Sequence, residues 1–188
     1  MAKTYAALSK HIPPDQNLRE AIRLLKTRGA ALDVGAGSLR NSKLLLQEGF
    51  VVTAVDKDPI IQECADELED NNLAVHVTDI EGFNFSEKYD FIISVNTLSF
   101  LNPEICKEVI SKMKSSLNKE GILYVTLFGE RDGWVGNEKM SFFSQSEAKE
   151  LFIDMNVISF TEKEYDATTI DGMPKFWHIF KIIARKEG

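Results

Sequence analysis

Asp33, Gly35, Gly37 and Asp56 are the residues whose types and spacing could do chemistry. An apolar run, Ala30-Ala31-Leu32, ends in Asp33; the glycine turn follows, and a second apolar run closes in Asp56, 23 positions after the first acid. A gap of roughly 20 residues between a glycine turn and a ribose-binding carboxylate is that of a βαβ nucleotide unit. Glycine lacks a Cβ, so the backbone can turn sharply and come close to a ligand. A strand-end carboxylate can accept hydrogen bonds from both ribose hydroxyls, each charge-assisted bond being worth about 1.5–3 kcal/mol. It would repel a phosphate. An ordinary strand-to-helix turn accounts for the two glycines alone, but not for the two acids in register with them.

A dinucleotide fingerprint requires G-x-G-x-x-G, with a small last residue so that helix and strand pack closely. The sixth position here is Arg40, and Asp33 stands where a pyrophosphate would meet a carboxylate. The arrangement suits a ligand carrying an ammonium group. D-x-G-x-G resembles motif I of class I S-adenosylmethionine-dependent methyltransferases. That resemblance implies S-adenosylmethionine as cofactor, with Asp33 close to the methionine ammonium, Gly35 and Gly37 under the cofactor, Arg40 and Asn41 toward its carboxylate, and Asp56 with Lys57 at the ribose. It extends to Leu73–Ile80, implying that Asp79 accepts from the adenine amine and Ile80 lies on the ring, and to Tyr89–Asn96, whose Y-D-x-I form implies that Asn96 lies between cofactor and substrate. Asp90 is read as structural, at the start of its strand.

Within that superfamily the chain is most similar to the small methyltransferases of the tellurite-resistance type, over nearly its whole length. Arg40-Asn41-Ser42, Val52–Asp56, Phe128-Gly129-Glu130-Arg131-Asp132 and Lys175–Phe180 carry the likeness. One departure stands out: Leu39 occupies the place of a third glycine. In a helix opened by Ser38 as N-cap, leucine needs only ordinary dihedrals; otherwise its side chain enters the mouth of the loop.

Methyl transfer is an in-line displacement in which the cofactor supplies the electrophile and the protein chiefly supplies position. No motif position holds an obvious general base, so the catalytic candidates are the polar residues able to reach a cavity: Asn96, Arg131 and His178. Arg131 reads either as an anchor for an anionic substrate or as a surface ion pair, and His178 first as a strand residue. Of Phe176 and Trp177, on an alternating strand, one ring is expected in the core. The expected activity is methylation of a small molecule: a metalloid oxyanion, a small organic acid or a thiol. A non-catalytic cofactor-binding or interaction protein, with motif I spoiled by Leu39, is the rival, and a nicotinamide-dependent oxidoreductase is a third reading that Asp33 and Arg40 oppose.

A net charge of −7 over 188 residues, without a basic patch, argues against a nucleic-acid partner. Cys64 and Cys106 lack metal-like spacing, the three histidines are scattered, and no metal is expected. No apolar span or signal segment is visible, so the expected location is cytoplasmic and no membrane partner is implied.

The elements that must position these residues alternate strand and helix. They predict an α/β fold: a doubly wound, mostly parallel seven-stranded sheet ending in an antiparallel hairpin. Strands are expected near 30–34, 51–55, 73–77, 89–95 and 121–128, and the hairpin over 155–164 and 175–185. Helices are expected near 38–48, 59–70 and 103–117, and near 144–152 behind a Ser144/Glu147 capping box. Asp15 is expected to cap a helix whose Leu18, Ile22 and Leu25 share a face. One domain is expected over 1–188: an N-terminal arm and helix (1–28), a cofactor-binding core (29–128) and a substrate-side segment with the hairpin (129–188). Residues 1–12 read as a wall of the site or as a loose tail.

Overall fold

A computed structural model describes residues 4–187. Seven strands form one sheet in the order β3-β2-β1-β4-β5-β7-β6. They are β1 (Ala30–Val34), β2 (Val51–Asp56), β3 (Leu73–Val77), β4 (Tyr89–Ser94), β5 (Leu117–Phe128), β6 (Asn156–Thr168) and β7 (Pro174–Arg185). The first five run parallel, whereas β7 pairs antiparallel with both β5 and β6. The helices are α1 (Tyr5–Leu8), α2 (Leu18–Arg23), α3 (Arg40–Gln47), α4 (Ile60–Leu68), α5 (Pro103–Ser116) and α6 (Gln145–Glu150).

Side chains alternate across the central strands, and both sheet faces are buried because helices cover both. Leu32, Ile92 and Leu123 pack with Cys106, Val109, Ile110 and Met113 of α5. Their chain neighbours Ala31, Phe91, Ile93 and Ile122 pack on the other side with Leu18 and Ile22 of α2 and Leu44 and Leu45 of α3. Pro103 opens α5 behind the cap of Asn102, whose Oδ1 accepts from the Ile105 amide at 3.0 Å. The expected Ser144/Glu147 capping box opens α6. Asp90 has the structural role expected of it, accepting from the Ala30 amide at 3.1 Å and from Asn118 Nδ2 at 2.9 Å.

Three local expectations are corrected. Ser38 does not cap α3: Leu39 takes the N-cap position with φ 62° and ψ 18°, in the left-handed region, so the glycine customary there has a backbone reason. The Leu39 side chain does not enter the mouth of the loop; it is fully buried with Ala36, Ala54, Ile61 and Cys64. Asp15 does not cap α2, whose N-cap is Asn17. Its carboxylate instead accepts from Tyr124 Oη of β5 at 2.6 Å and Lys181 Nζ of β7 at 2.9 Å, tying the N-terminal segment to the sheet.

Candidate active site

The carboxyl ends of β1, β2, β3 and β4 open into a cleft of about 1400 Å³, as expected for ligand sites in open α/β sheets. At its floor, Gly35 has φ 76°, and a Cβ there would lie 2.1 Å from Thr97 Cγ2. Conformation and space both demand glycine. Gly37 follows with φ 52°, and its amide donates to Asp56 Oδ2 at 2.8 Å. The other oxygen of Asp56 accepts from the Asp58 amide at 2.9 Å. Two backbone donors therefore fix this carboxylate at the cleft's edge, leaving lone pairs for a ligand. Asp79 is exposed at the end of β3, its side chain makes no hydrogen bond among the described residues, and Ile80 lies beside it in the wall.

Beyond β4 the backbone of Asn96 takes φ 54°. Its amide donates to Thr126 Oγ1 at 2.7 Å, and that hydroxyl lies 3.2 Å from Asn96 Oδ1. A strained, hydrogen-bonded asparagine beside the floor is the form a positioning residue takes. Gly35, Gly37, Arg40, Asn41, Asp56, Lys57, Asp79, Ile80 and Asn96 all line the same cleft. Arg40 and Asn41 also hold the N-terminal segment: Arg40 Nη1 donates to the Pro13 carbonyl at 3.2 Å, and Asn41 Oδ1 accepts from the Asp15 amide at 3.0 Å. Residues 4–12 supply part of the wall through Tyr5, Ala6, Ser9 and Ile12, with Ser9 Oγ 2.9 Å from Ser38 Oγ.

Three expected site residues lie outside the lining. Asp33 is buried beneath the loop, where its Oδ2 accepts from Ser42 Oγ at 2.7 Å, and desolvation pushes its carboxyl up to about 6. Of the two readings of Arg131 the structure shows the ion pair: its guanidinium is bound by Glu162 at 2.7 Å and by Glu164, outside the cleft lining. Its hydrogen bond to Glu164 foremost, and that to Glu162, strengthen its hold on the proton. His178 is fully buried, accepting at Nδ1 from the Arg131 amide at 3.1 Å. That bond leaves the proton on Nε2, which donates to Glu162 Oε1 at 2.8 Å. Glu162, Glu164 and His178 have the composition of a metal site, but the positive charge they call for comes from Arg131.

Some lining residues could not be read from the sequence. Tyr165 and Ile170 come from the hairpin and its turn, Trp177 and Ile179 from β7, and Phe100 from the turn after β4. Of the Phe176 and Trp177 pair, Trp177 faces the cleft and Phe176 is exposed away from it. The alternation of β7 was legible; which face meets the cleft depended on a sheet order that local sequence does not carry.

This parallel sheet with an antiparallel last pair, and strand-end acids around a glycine loop, is the architecture of class I S-adenosylmethionine-dependent methyltransferases. The crystal structure of TehB from Haemophilus influenzae superposes with a TM-score of 0.81 at 24% identity, covering 99% of this chain and 68% of that one. The N-methyltransferase NodS from Bradyrhizobium japonicum WM9, in complex with S-adenosyl-L-homocysteine, gives a TM-score of 0.73 at 13% identity, over 97% of this chain and 93% of that one. The family model described as tellurite resistance protein TehB matches residues 3–172, and the chain belongs to that family. It is 32% identical over 136 residues to a probable S-adenosyl-L-methionine-dependent methyltransferase TehB of Haemophilus influenzae strain Rd, covering 70% of this chain and 47% of that protein. It is also 33% identical over 107 residues to a malonyl-acyl-carrier-protein O-methyltransferase of Acetivibrio thermocellus, covering 55% of this chain and 37% of that protein. The chain thus spans about half the length, or less, of the curated relatives it matches.

Proposed function

We propose that this chain transfers the methyl group of S-adenosylmethionine to a small molecule. The observation that carries the reading is one continuous cleft, running from Asp56 and Asp79 past Asn96 to Phe100 and Trp177, with the segment of residues 4–12 along its side. The donor set fits the cofactor. Asp56 offers lone pairs to ribose hydroxyls, exposed Asp79 can accept from an exocyclic amine, and buried Asp33 beneath the loop favours a cationic ammonium above it. Asp56, Asp58, Asp79 and Glu81 on the same walls would repel a pyrophosphate, which disfavours the nicotinamide reading. The rival reading of a spoiled motif loses its ground because Leu39 packs beneath the loop, away from the cleft.

When bound, the cofactor supplies an electrophilic methyl carbon on a sulfonium. The chain's part is orientation and exclusion of water: Gly35 and Gly37 allow close approach, Asn96 holds a strained backbone corner beside the reacting region, and Phe100 and Trp177 wall off solvent. Orientation of this kind can lower a barrier by roughly 7–11 kcal/mol. No histidine lines the cleft among the described residues, and an acceptor whose nucleophile is already anionic would need no base from the carboxylates and tyrosines that do. The test is incubation with S-adenosylmethionine and a panel of thiols, carboxylic acids and metalloid oxyanions, following S-adenosylhomocysteine. Acceptor-dependent release supports the proposal; tight binding of S-adenosylhomocysteine with no turnover on any acceptor would make the chain a binding module.

A further inference from the structure

Beyond Asn96 the cleft is mainly apolar, and its wall is built in two layers. Phe100, Leu101, Tyr165, Ile170, Trp177 and Ile179 line it. Behind them Phe128 meets Phe100 and Trp177 edge-to-face, with ring centroids 5.7 and 5.9 Å away, and Trp134 lies 5.8 and 5.6 Å from the same two rings. Buried Lys175 is set against this second layer, its Nζ 4.3 Å from the Trp134 ring centroid and 3.6 Å from that of Trp177. Asp132 holds that ammonium at 2.6 Å and also accepts from the Trp134 amide at 3.0 Å and the His178 amide at 3.2 Å. Residues 128–132 and 175–180 are thus the scaffold of an apolar wall.

The inner layer is open to a ligand: Phe100 is 42% exposed and Tyr165 44%. Single exposed apolar side chains are ordinary, but several converging on one concave surface mark a binding site. Polar groups among them are engaged, since Asn102 caps α5 and Thr169 Oγ1 donates to Asp171 and accepts from the Met173 amide. Charge disfavours a small anion. Among the described residues five carboxylates line the cleft against three cations. Arg40 and Lys57 stand at the other end, beside the glycine loop and Asp56, and Lys139 directly follows Glu138. At about 1400 Å³ the cleft also exceeds the roughly 300–1,000 Å³ of most small-molecule sites, leaving room for an organic ligand beside a nucleoside cofactor.

Resting on the methyltransferase reading above, we propose that the acceptor is an organic molecule with an uncharged, apolar body packed against Phe100, Ile170 and Trp177, and not a metalloid oxyanion. Burial of that body supplies the binding energy that orients the nucleophile and keeps water from the reacting centre. A small oxyanion would leave the same wall facing water.

The test compares ethanethiol with hexanethiol, acetate with hexanoate, and selenite as acceptors for the full chain, with S-adenosylhomocysteine affinity measured separately by calorimetry. For whichever nucleophile is methylated, the six-carbon acceptor is expected to have a KM about tenfold or more below that of its two-carbon counterpart, because four more methylenes are buried. Phe100→Ser and Ile170→Asn each shrink that ratio to about threefold or less while S-adenosylhomocysteine affinity stays within about twofold. Ile153→Ser, at a side chain 83% exposed outside the cleft, leaves the ratio unchanged. Equal KM values for the two lengths, a ratio surviving both cleft variants, or methylation of selenite alone would overturn the assignment while leaving the methyltransferase reading intact. Binding of S-adenosylhomocysteine with no acceptor methylated would overturn both. Failure to bind it at all would remove the cofactor itself.

Discussion

At Leu39 two local forces oppose each other. Its left-handed backbone costs a non-glycine residue about 1–2 kcal/mol, whereas removing a fully buried leucine side chain costs about 2–5 kcal/mol. Leu39→Gly is therefore expected to lower stability by about 1–3 kcal/mol in chemical denaturation, with S-adenosylhomocysteine affinity unchanged, because the side chain faces the core and not the cleft. A gain in affinity would mean that leucine obstructs the site after all. Asp33 makes a second prediction. Desolvation pushes its folded carboxyl up to about 6, against about 3.9 in the unfolded chain. The native state thus holds a proton that the unfolded state releases between these values, and stability falls as pH rises from about 4 to about 6. Comparing the wild type with Asp33→Asn over that window isolates the effect: the wild type should lose stability relative to the variant, and parallel curves would refute it. Both strand-end acids were legible in the sequence because each closes its own apolar run. The left-handed φ of Leu39 was not, since a leucine in that region is set by the loop's hydrogen bonds and the packing beneath it.

The segment before β1 shows the same limit at the scale of elements. Asp15 had every local mark of a helix cap, yet its partners, Tyr124 and Lys181, come from strands more than a hundred residues away in sequence. Burial pushes its carboxyl up, but the hydrogen bonds from Tyr124 and Lys181 outweigh this and hold it below the ordinary range. Asp15→Ala strands the part-buried Tyr124 hydroxyl, leaves Lys181 Nζ only its bond to Asn17 Oδ1, and should cost about 1–3 kcal/mol. It should also speed amide exchange across residues 5–17, because the tie to the sheet is lost; unchanged exchange there would show that the bonds from Arg40 and Asn41 suffice. Arg131 and His178 were each left with two readings, and the partners that place them in an ion-paired cluster could not be read locally. Their partner Glu162 sits on β6, and nothing near them in sequence announces that a strand bearing it will lie alongside.

The whole molecule divides its work by halves of the sheet. The parallel strands β1 to β4 carry the acids and glycines that local pattern reveals, and the antiparallel hairpin β6/β7 brings Tyr165 and Trp177 to the far end of the same cleft. The strand-end side of the cleft was readable because each motif is a strand end followed by a turn. The hairpin side depends on register, which only the folded sheet sets. Cofactor binding by the strand-end acids is the claim on which the rest stands, and calorimetric titration of ligand-free protein with S-adenosylhomocysteine, wild type beside Asp56→Ala, tests it most directly. The account predicts one-to-one binding by the wild type, and affinity about tenfold or more lower in the variant, the loss of about 1.4 kcal/mol or more. Equal affinity in the two proteins, or no binding by the wild type, would contradict it.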